Sequence, residues 1–214
     1  MMDATNQLQP RRTYHHGDLR QALLDAGITL ARTGGPEAVV LREATRRAGV
    51  VPNAAYRHFA SRAALLQAVR SSALAALAMA MEKEVARQRR GLAGADAARA
   101  GLRAIGTAYL RFARTEPGLF RTAFAVPGEA ETTSNAAMAG SSGLNPFQLL
   151  GTALNAMVQE GVLPIERRAG AEYLAWSAVH GLAMLVLEGP LRRLSRAQRR
   201  VIEQRLLAMV EQGL

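Results

Sequence analysis

The sequence predicts an all-α protein of about nine helices, and three observations carry that prediction. Apolar residues recur at three- and four-residue spacing through most of the chain. No stretch alternates apolar and polar residues between turn signals, as a half-buried strand does. Glycine and proline at residues 34–36 and 49–52 punctuate the pattern where helices must stop and start.

Taken in order, residues 1–13 read as a basic arm. A first helix is expected from Asp18 to Thr33, because Leu19, Leu23, Ala26 and Leu30 share one face. Gly34, Gly35 and Pro36 end it. A short second helix, Leu41–Ala48, turns Leu41, Ala44, Thr45 and Ala48 inward and Arg42, Glu43, Arg46 and Arg47 outward, and Gly49 closes it. Pro52 suits the first turn of a third helix reaching about His58, which buries Ala55 and Phe59. Ser61 is a good N-cap for a long fourth helix to about Arg87, with Leu65, Leu66, Val69, Leu74, Leu77 and Met81 on its apolar side. Further helices are expected near 95–114, 117–125, 146–160, 170–187 and 195–211. The Pro/Gly/Ser/Thr-rich stretch 127–145 reads as a mobile loop.

Composition limits the function. The chain has 214 residues, with 27 Lys or Arg against 17 Asp or Glu, a formal charge of +10. That excess fits a polyanionic partner, either nucleic acid or an acidic membrane surface. Residues 1–70 hold 10 of the cations and 5 of the anions, so half the excess lies in the first third. The remainder has no role the sequence assigns. At 49% hydrophobic and 21% charged residues, the chain can bury a core. The absence of cysteine excludes disulfides, thiolate metal sites and cysteine nucleophiles, and fits a cytoplasmic protein. No secretory apolar region opens the chain, and the most apolar stretch, 171–187, carries Glu172, Ser177 and His180 and falls short of a membrane span. Nucleophile-elbow, P-loop, dinucleotide and zinc-protease motifs are all missing, so neither catalysis nor a cofactor is expected. His15, His16 and Asp18 make a poor metal set, because adjacent histidine side chains diverge.

Two short helices joined by a glycine turn and followed by a long helix form the pattern of a helix-turn-helix DNA reader. The second short helix must offer small or polar side chains to base edges. Asn53 can pair with adenine, Arg57 with guanine, and Ala54 can touch a thymine methyl. Tyr56, His58, Arg42 and Arg62 suit phosphate contacts that fix register, with packing as the alternative for Tyr56 and His58. Arg11 and Arg12 suit the duplex backbone or a minor groove.

Residues 14–69 resemble the DNA-binding domain of the tetracycline-repressor (TetR) family of transcriptional regulators. The likeness rests on Leu41-Arg42-Glu43-Ala44-Thr45-Arg46-Arg47-Ala48-Gly49-Val50, on Ala55-Tyr56-Arg57-His58-Phe59, and on Ser61-Arg62 followed by Leu65-Leu66. Tyr14-His15-His16-Gly17-Asp18-Leu19-Arg20 and Trp176-Ser177-Ala178-Val179-His180-Gly181 are similar to one branch of it, marked by a Trp…His-Gly motif in its regulatory domain. The resemblance implies DNA contacts by Arg42, Pro52, Asn53, Ala54, Tyr56, Arg57, His58 and Arg62. The sequence departs from the family at Leu41, where a phosphate-touching Ser or Thr is common, and at Val51, where a polar cap is usual.

The resemblance also divides the chain into an arm (1–13), a helix-turn-helix domain (14–62) and a regulatory, effector-binding and dimerisation domain (63–214). A homodimer through the last two helices is expected, since two reading helices must reach successive major grooves of a palindromic operator. Ala175, Val179, Leu182, Ala183 and Val186, with Ile202, Leu206 and Met209, form the stripes expected at that contact. A pocket for a small apolar or amphipathic effector is implied, with Leu77, Met81, Leu102, Ile105, Tyr109 and Phe112 as candidate walls. Phe124, Phe147, Leu150, Trp176 and His180 complete the set. Trp176 and His180, four residues apart, fit a core pair as well as a ligand-lining pair. Repression is the family default, and a DNA reader without a ligand, either a constitutive repressor or a nucleoid-associated dimer, is the alternative.

Overall fold

A computed structural model describes residues 16–125 and 136–214. The expected arm, with Arg11 and Arg12, lies outside the described residues, as does His15. Helix α1 (His16–Gly34), α2 (Leu41–Ala48), α3 (Pro52–Tyr56) and the start of α4 (Arg62–Gln88) build the N-terminal unit. The rest of α4 then packs with α5 (Gly94–Thr115), α6 (Pro117–Phe124), α7 (Pro146–Gln159), α8 (Ala171–Leu187) and α9 (Arg196–Gly213). The described residues contain no strand.

The local causes are those the sequence suggested. Gly49 takes the left-handed conformation (φ 69°, ψ 29°) that a side chain disfavours, and the amides of Gly49 and Val50 return to the carbonyls of Arg46 and Thr45. Ser61 caps α4 by accepting the amide of Ala64 at 3.1 Å. Asn145 and Gln148 form a capping box at α7, and Ser195 and Gln198 another at α9. Helix α3 is shorter than expected and ends at Tyr56. Arg57 keeps helical angles, but His58 and Phe59 both donate to the carbonyl of Ala55, which turns the chain out of the helix.

One core runs through both units. Leu23, Leu30, Ala44, Ala55 and Phe59 close the helix-turn-helix, and Leu65 and Val69 continue that core along α4. Helix α4 is therefore shared, with its first two turns packed on α1 in the DNA-binding unit and the rest among α5, α6 and α7. It is also the helix long and apolar enough to cross a membrane, with a mean hydropathy of 1.5 over its most apolar window, a match that sequence inspection assigned to no segment. Its apolar side is buried against its neighbours, as in a soluble core helix.

The expected mobile loop is partly anchored. Residues 136–138 form a 3-10 turn with Met138 buried. Glu82 on α4 then accepts the amides of Ser141 and Ser142, each at 2.8 Å, and the Ser142 hydroxyl at 2.6 Å. Those bonds offset the desolvation of the Glu82 carboxylate and hold its pKa below the ordinary value.

Candidate nucleic-acid interface and ligand cavity

Ala55 anchors helix α3. Ala55 is fully buried, which fixes the rotation of this five-residue helix and turns Asn53 and Tyr56 outward, followed by Arg57 at its end. Tyr56 is 57% exposed and does not pack into the core. Ala54 and His58 are half-buried. Val51, just before α3, is 69% exposed and offers no side-chain cap, so a bare apolar group stands beside Asn53. Sequence inspection read Val51 as a missing cap; its exposure makes it a further candidate for a thymine methyl. Leu41 is buried, out of reach of a phosphate.

The cations of this unit fall into two groups. Arg46 and Arg47 both pair with Glu43, whose carboxyl is lowered to about 2, first by its hydrogen bonds from Arg46. Arg42 and Arg57 are exposed, with no carboxylate partner among the described residues. Their charge is uncompensated locally and available to a polyanion. Arg62 is engaged differently. Its Nε donates to the Val39 carbonyl and its Nη2 to the Pro36 carbonyl, both at 2.9 Å, tying the start of α4 to the link between α1 and α2.

In the second unit the helices leave a narrow apolar cavity. Met81 of α4 lines it, with Leu102, Ile105 and Tyr109 of α5 and Phe124 of α6. Phe147 and Leu150 of α7 and Trp176 of α8 complete the part the sequence foresaw. Three expected wall residues are elsewhere. Leu77 and Phe112 are buried in the core away from the opening, and His180 stands behind Tyr109. Arg103, Gly106, Ala175, Val179, Leu207 and Val210 line it and were not foreseen as walls. Gly106 had no periodic signal, and Ala175 and Val179 read equally well as dimer residues.

The polar edge of this cavity is closed on itself. Trp176 Nε1 donates to the Tyr109 hydroxyl at 3.1 Å, leaving the hydroxyl proton for His180 Nδ1 at 2.7 Å. Burial pushes the His180 pKa down, which suits a neutral acceptor ring. Trp176 and His180 thus converge on one tyrosine. The cavity itself has a volume of only ≈ 40 Å³, room for a water or so, whereas small-molecule sites measure roughly 300–1,000 Å³.

Most of the expected dimer stripe on α8 faces the subunit's own core instead. Ala175, Val179, Leu182 and Ala183 are buried within the subunit. Val186, Ile202 and Leu206 are half-buried, and only Met209 of that set is exposed. The outward face of α8 carries Leu174, Ser177, Gly181 and Leu185, beside Val201 and Met209 of α9. A side chain at Gly181 would meet nothing within the subunit.

A helix-turn-helix unit joined by a shared helix to a second helical unit defines the class of helix-turn-helix DNA-binding proteins. Comparison with known proteins agrees. The profile of bacterial regulatory proteins of the tetR family matches residues 23–69, and that of the tetracyclin repressor-like C-terminal domain matches residues 102–210. The chain belongs to the TetR family and is a DNA-binding transcriptional regulator. Among solved structures, a Rhodococcus sp. RHA1 protein of unknown function is similar at 26% identity and TM-score 0.74, over 95% of this chain and 99% of that one. Two others share the fold. FadR from Bacillus subtilis, in complex with stearoyl-CoA, has 12% identity and TM-score 0.64, over 91% of this chain and 98% of its own. PfmR from Thermus thermophilus, a TetR family regulator, has 17% identity and TM-score 0.54, over 94% and 98%. No protein with a curated description matches the chain in sequence.

Proposed function

We propose that this regulator is a cytoplasmic dimeric repressor that leaves its operator when a small ligand opens the cavity. Asn53, Ala54, Arg57 and Val51 face the bases. Arg42, Tyr56 and His58 hold the phosphates, with Pro52 opening the reading helix. Arg62 positions the unit by joining α4 to the α1–α2 link. The two subunits meet through the outward face of α8 and α9, where Gly181 lets the helices approach closely. The convergence of Trp176 and His180 on Tyr109 supports the branch of the family marked by a Trp…His-Gly motif.

The observation that carries the switch is the near-closed cavity beside a helix shared with the DNA-binding unit. Any ligand larger than a few atoms must part α4, α5, α7 and α8 to enter. Met81, on the cavity wall, lies nineteen residues along α4 from Arg62, roughly 28 Å of rigid helix. A second link is the contact of α6 with α1. Phe124 lines the cavity, while Gly118 lies so close to α1 that an added methyl would fall 2.1 Å from the Ala31 carbonyl oxygen. Glu116 and Arg32 pair at 3.1 Å across the same contact. The closed state binds DNA, and the ligand prefers the parted one.

In vitro selection of bound duplexes supplies the operator. Operator affinity is then measured while an apolar ligand is titrated and its entry followed through Trp176, the single tryptophan. Loss of operator binding in step with occupancy supports the switch. Full occupancy with unchanged affinity overturns it.

A further inference from the structure

Beside the apolar cavity lies a second, charged space. Between α4, α5 and α9 runs a groove of ≈ 800 Å³ whose walls include Arg87, Arg103, Arg111, Arg114 and Arg200. Two carboxylates, Glu84 and Glu203, share those walls. We propose that this groove is an anion-binding subsite continuous with the cavity, so that the ligand is an amphiphile whose tail enters the cavity and whose oxyanion head rests on the arginines. The proposal rests on the cavity being the effector site.

Two residues belong to both spaces. Arg103 and Leu207 line the cavity and the groove alike. Leu207 lies between them because residue 106 has no side chain: a Cβ there would stand 2.4 Å from Leu207 Cδ2. The side chains shared by the two spaces are thus a leucine and an arginine, both flexible, and the leucine end can change rotamer to open the way between them. Arg103 stands at the junction, where the head of a buried chain emerges.

The arginines are held in place without being used up. Glu84, 1% exposed, forms the floor, accepting from Arg87 and from Arg111 Nη1 at 2.9 Å. Its hydrogen bonds with Arg87 lead in lowering its carboxyl to about 2, so it stays charged and keeps both guanidinium groups fixed. Arg114 Nη1 donates to Glu203 at 3.0 Å, and Arg103 donates to Glu211 at the groove's edge through Nε at 3.1 Å and Nη2 at 2.5 Å. A guanidinium has five N–H donors, so each retains some for a further oxyanion. Arg200 is exposed and has no carboxylate partner among the described residues. The result is an ordered array of forks with positive charge in excess, the arrangement that recognises phosphate or carboxylate oxygens.

The test compares alkyl probes of one chain length, below the concentration at which they form micelles: dodecyl phosphate, dodecanoate and dodecanol. Inorganic phosphate is the head alone. Binding is read by Trp176 fluorescence and by operator release. The expected result is that at least one of the two anions binds about tenfold or more tighter than dodecanol, because charge-assisted bonds add to the same tail burial. Raising the salt concentration should weaken the anion and leave the alcohol unchanged. Arg200→Glu, which removes no hydrogen bond or ion pair among the described residues, should abolish most of the preference with dodecanol binding intact, and Arg103→Gln should lower the preference as well. Equal affinity for all three alkyl probes, or a preference that survives both substitutions, overturns the anion subsite while leaving an apolar effector site in place. Failure of every alkyl probe to bind overturns both. Binding of inorganic phosphate alone as tightly as dodecyl phosphate would separate the groove from the cavity and overturn their continuity.

Discussion

Arg62 offers the sharpest separation of two physical roles. Sequence position suggested a phosphate contact, whereas the structure has its guanidinium donating to the carbonyls of Val39 and Pro36, both at 2.9 Å. A hydrogen bond from a charged donor contributes about 1.5–3 kcal/mol when well sheltered. The side chain is 45% exposed, and its neighbour Glu37, 3.5 Å away and 91% exposed, adds little. Discounting by about half for solvent, the two bonds together are worth about 2 kcal/mol. Arg62→Ala should therefore lower Tm by roughly 4–8 °C for a chain of this size and weaken binding to every duplex alike. Arg62→Lys keeps the charge but cannot fork to both carbonyls, so it should fail to restore either property. The salt dependence of operator binding separates the roles, because each lost phosphate contact lowers the slope of log affinity against log salt by about 0.9. For a positioning residue the slope stays as in the wild type. Unchanged Tm in Arg62→Ala, together with a lower slope that lysine restores, would refute the positioning role and return Arg62 to the phosphate backbone.

Four other variants test separate parts of the reading. Arg57→Ala should cost roughly 1–3 kcal/mol on the selected operator and relax preference at one base pair; an equal loss on all sequences would make Arg57 a phosphate contact. Gly118→Ala places a methyl 2.1 and 2.5 Å from the carbonyl oxygens of Ala31 and Arg32, which are backbone and cannot rotate away. A loss of about 1–3 kcal/mol in denaturant unfolding and weaker operator binding should follow, and wild-type values in both would show that α6 does not brace α1. Because Glu84 titrates lower in the folded chain, near 2, than in the unfolded one, its stabilisation is complete above the ordinary carboxylate range. It is lost as pH falls from about 4.3 towards 2, a span worth about 2 kcal/mol after discounting for the exposed outer sides of Arg87 and Arg111. Unfolding scans across that range should show the loss in the wild type and a flatter limb in Glu84→Gln; parallel curves would contradict it. Leu174→Glu with Leu185→Glu should yield monomers by sedimentation at micromolar concentration, and an undisturbed dimer would exclude the outward face of α8.

How much was legible in the sequence varies with the physics of each feature. Helix ends were legible because caps are local: Gly49 and Ser61 announce their roles through their own backbone geometry and side chains. The end of α3 was not, since it depends on two amides competing for the Ala55 carbonyl. The reading face followed from Ala55 alone, because one buried residue fixes the rotation of so short a helix. The cavity was harder. Periodicity shows that Leu77 and Met81 point inward on the same helix, but whether facing side chains meet is a property of the packed whole. Leu77 meets its neighbours, and Met81 faces a gap. Gly106 is invisible to any search for apolar residues, although its missing side chain is what admits Leu207. The same limit displaced the dimer stripe, since Val179 is as apolar as Leu185 and only packing decides which one solvent sees.

Charge follows a similar rule. A formal +10 says that an anion is attracted, but not where. Pairing decides the place. Arg46 and Arg47 sit in the basic first third of the chain and are neutralised locally by Glu43, whereas Arg42 and Arg57 are not. Arg199 and Arg200 are adjacent arginines that the sequence does not distinguish. In the fold Arg199 donates to the Leu194 carbonyl at 3.1 Å, while its neighbour stands on the groove wall without a carboxylate partner among the described residues. The C-terminal excess, which the sequence left without a role, is therefore not uniform background. Five of its arginines, on α4, α5 and α9, line one groove, two of them paired with the buried Glu84, and a buried carboxylate is stable only while its cations remain. An array kept together by that requirement has a fixed geometry before any ligand arrives, which is the property an anion subsite needs.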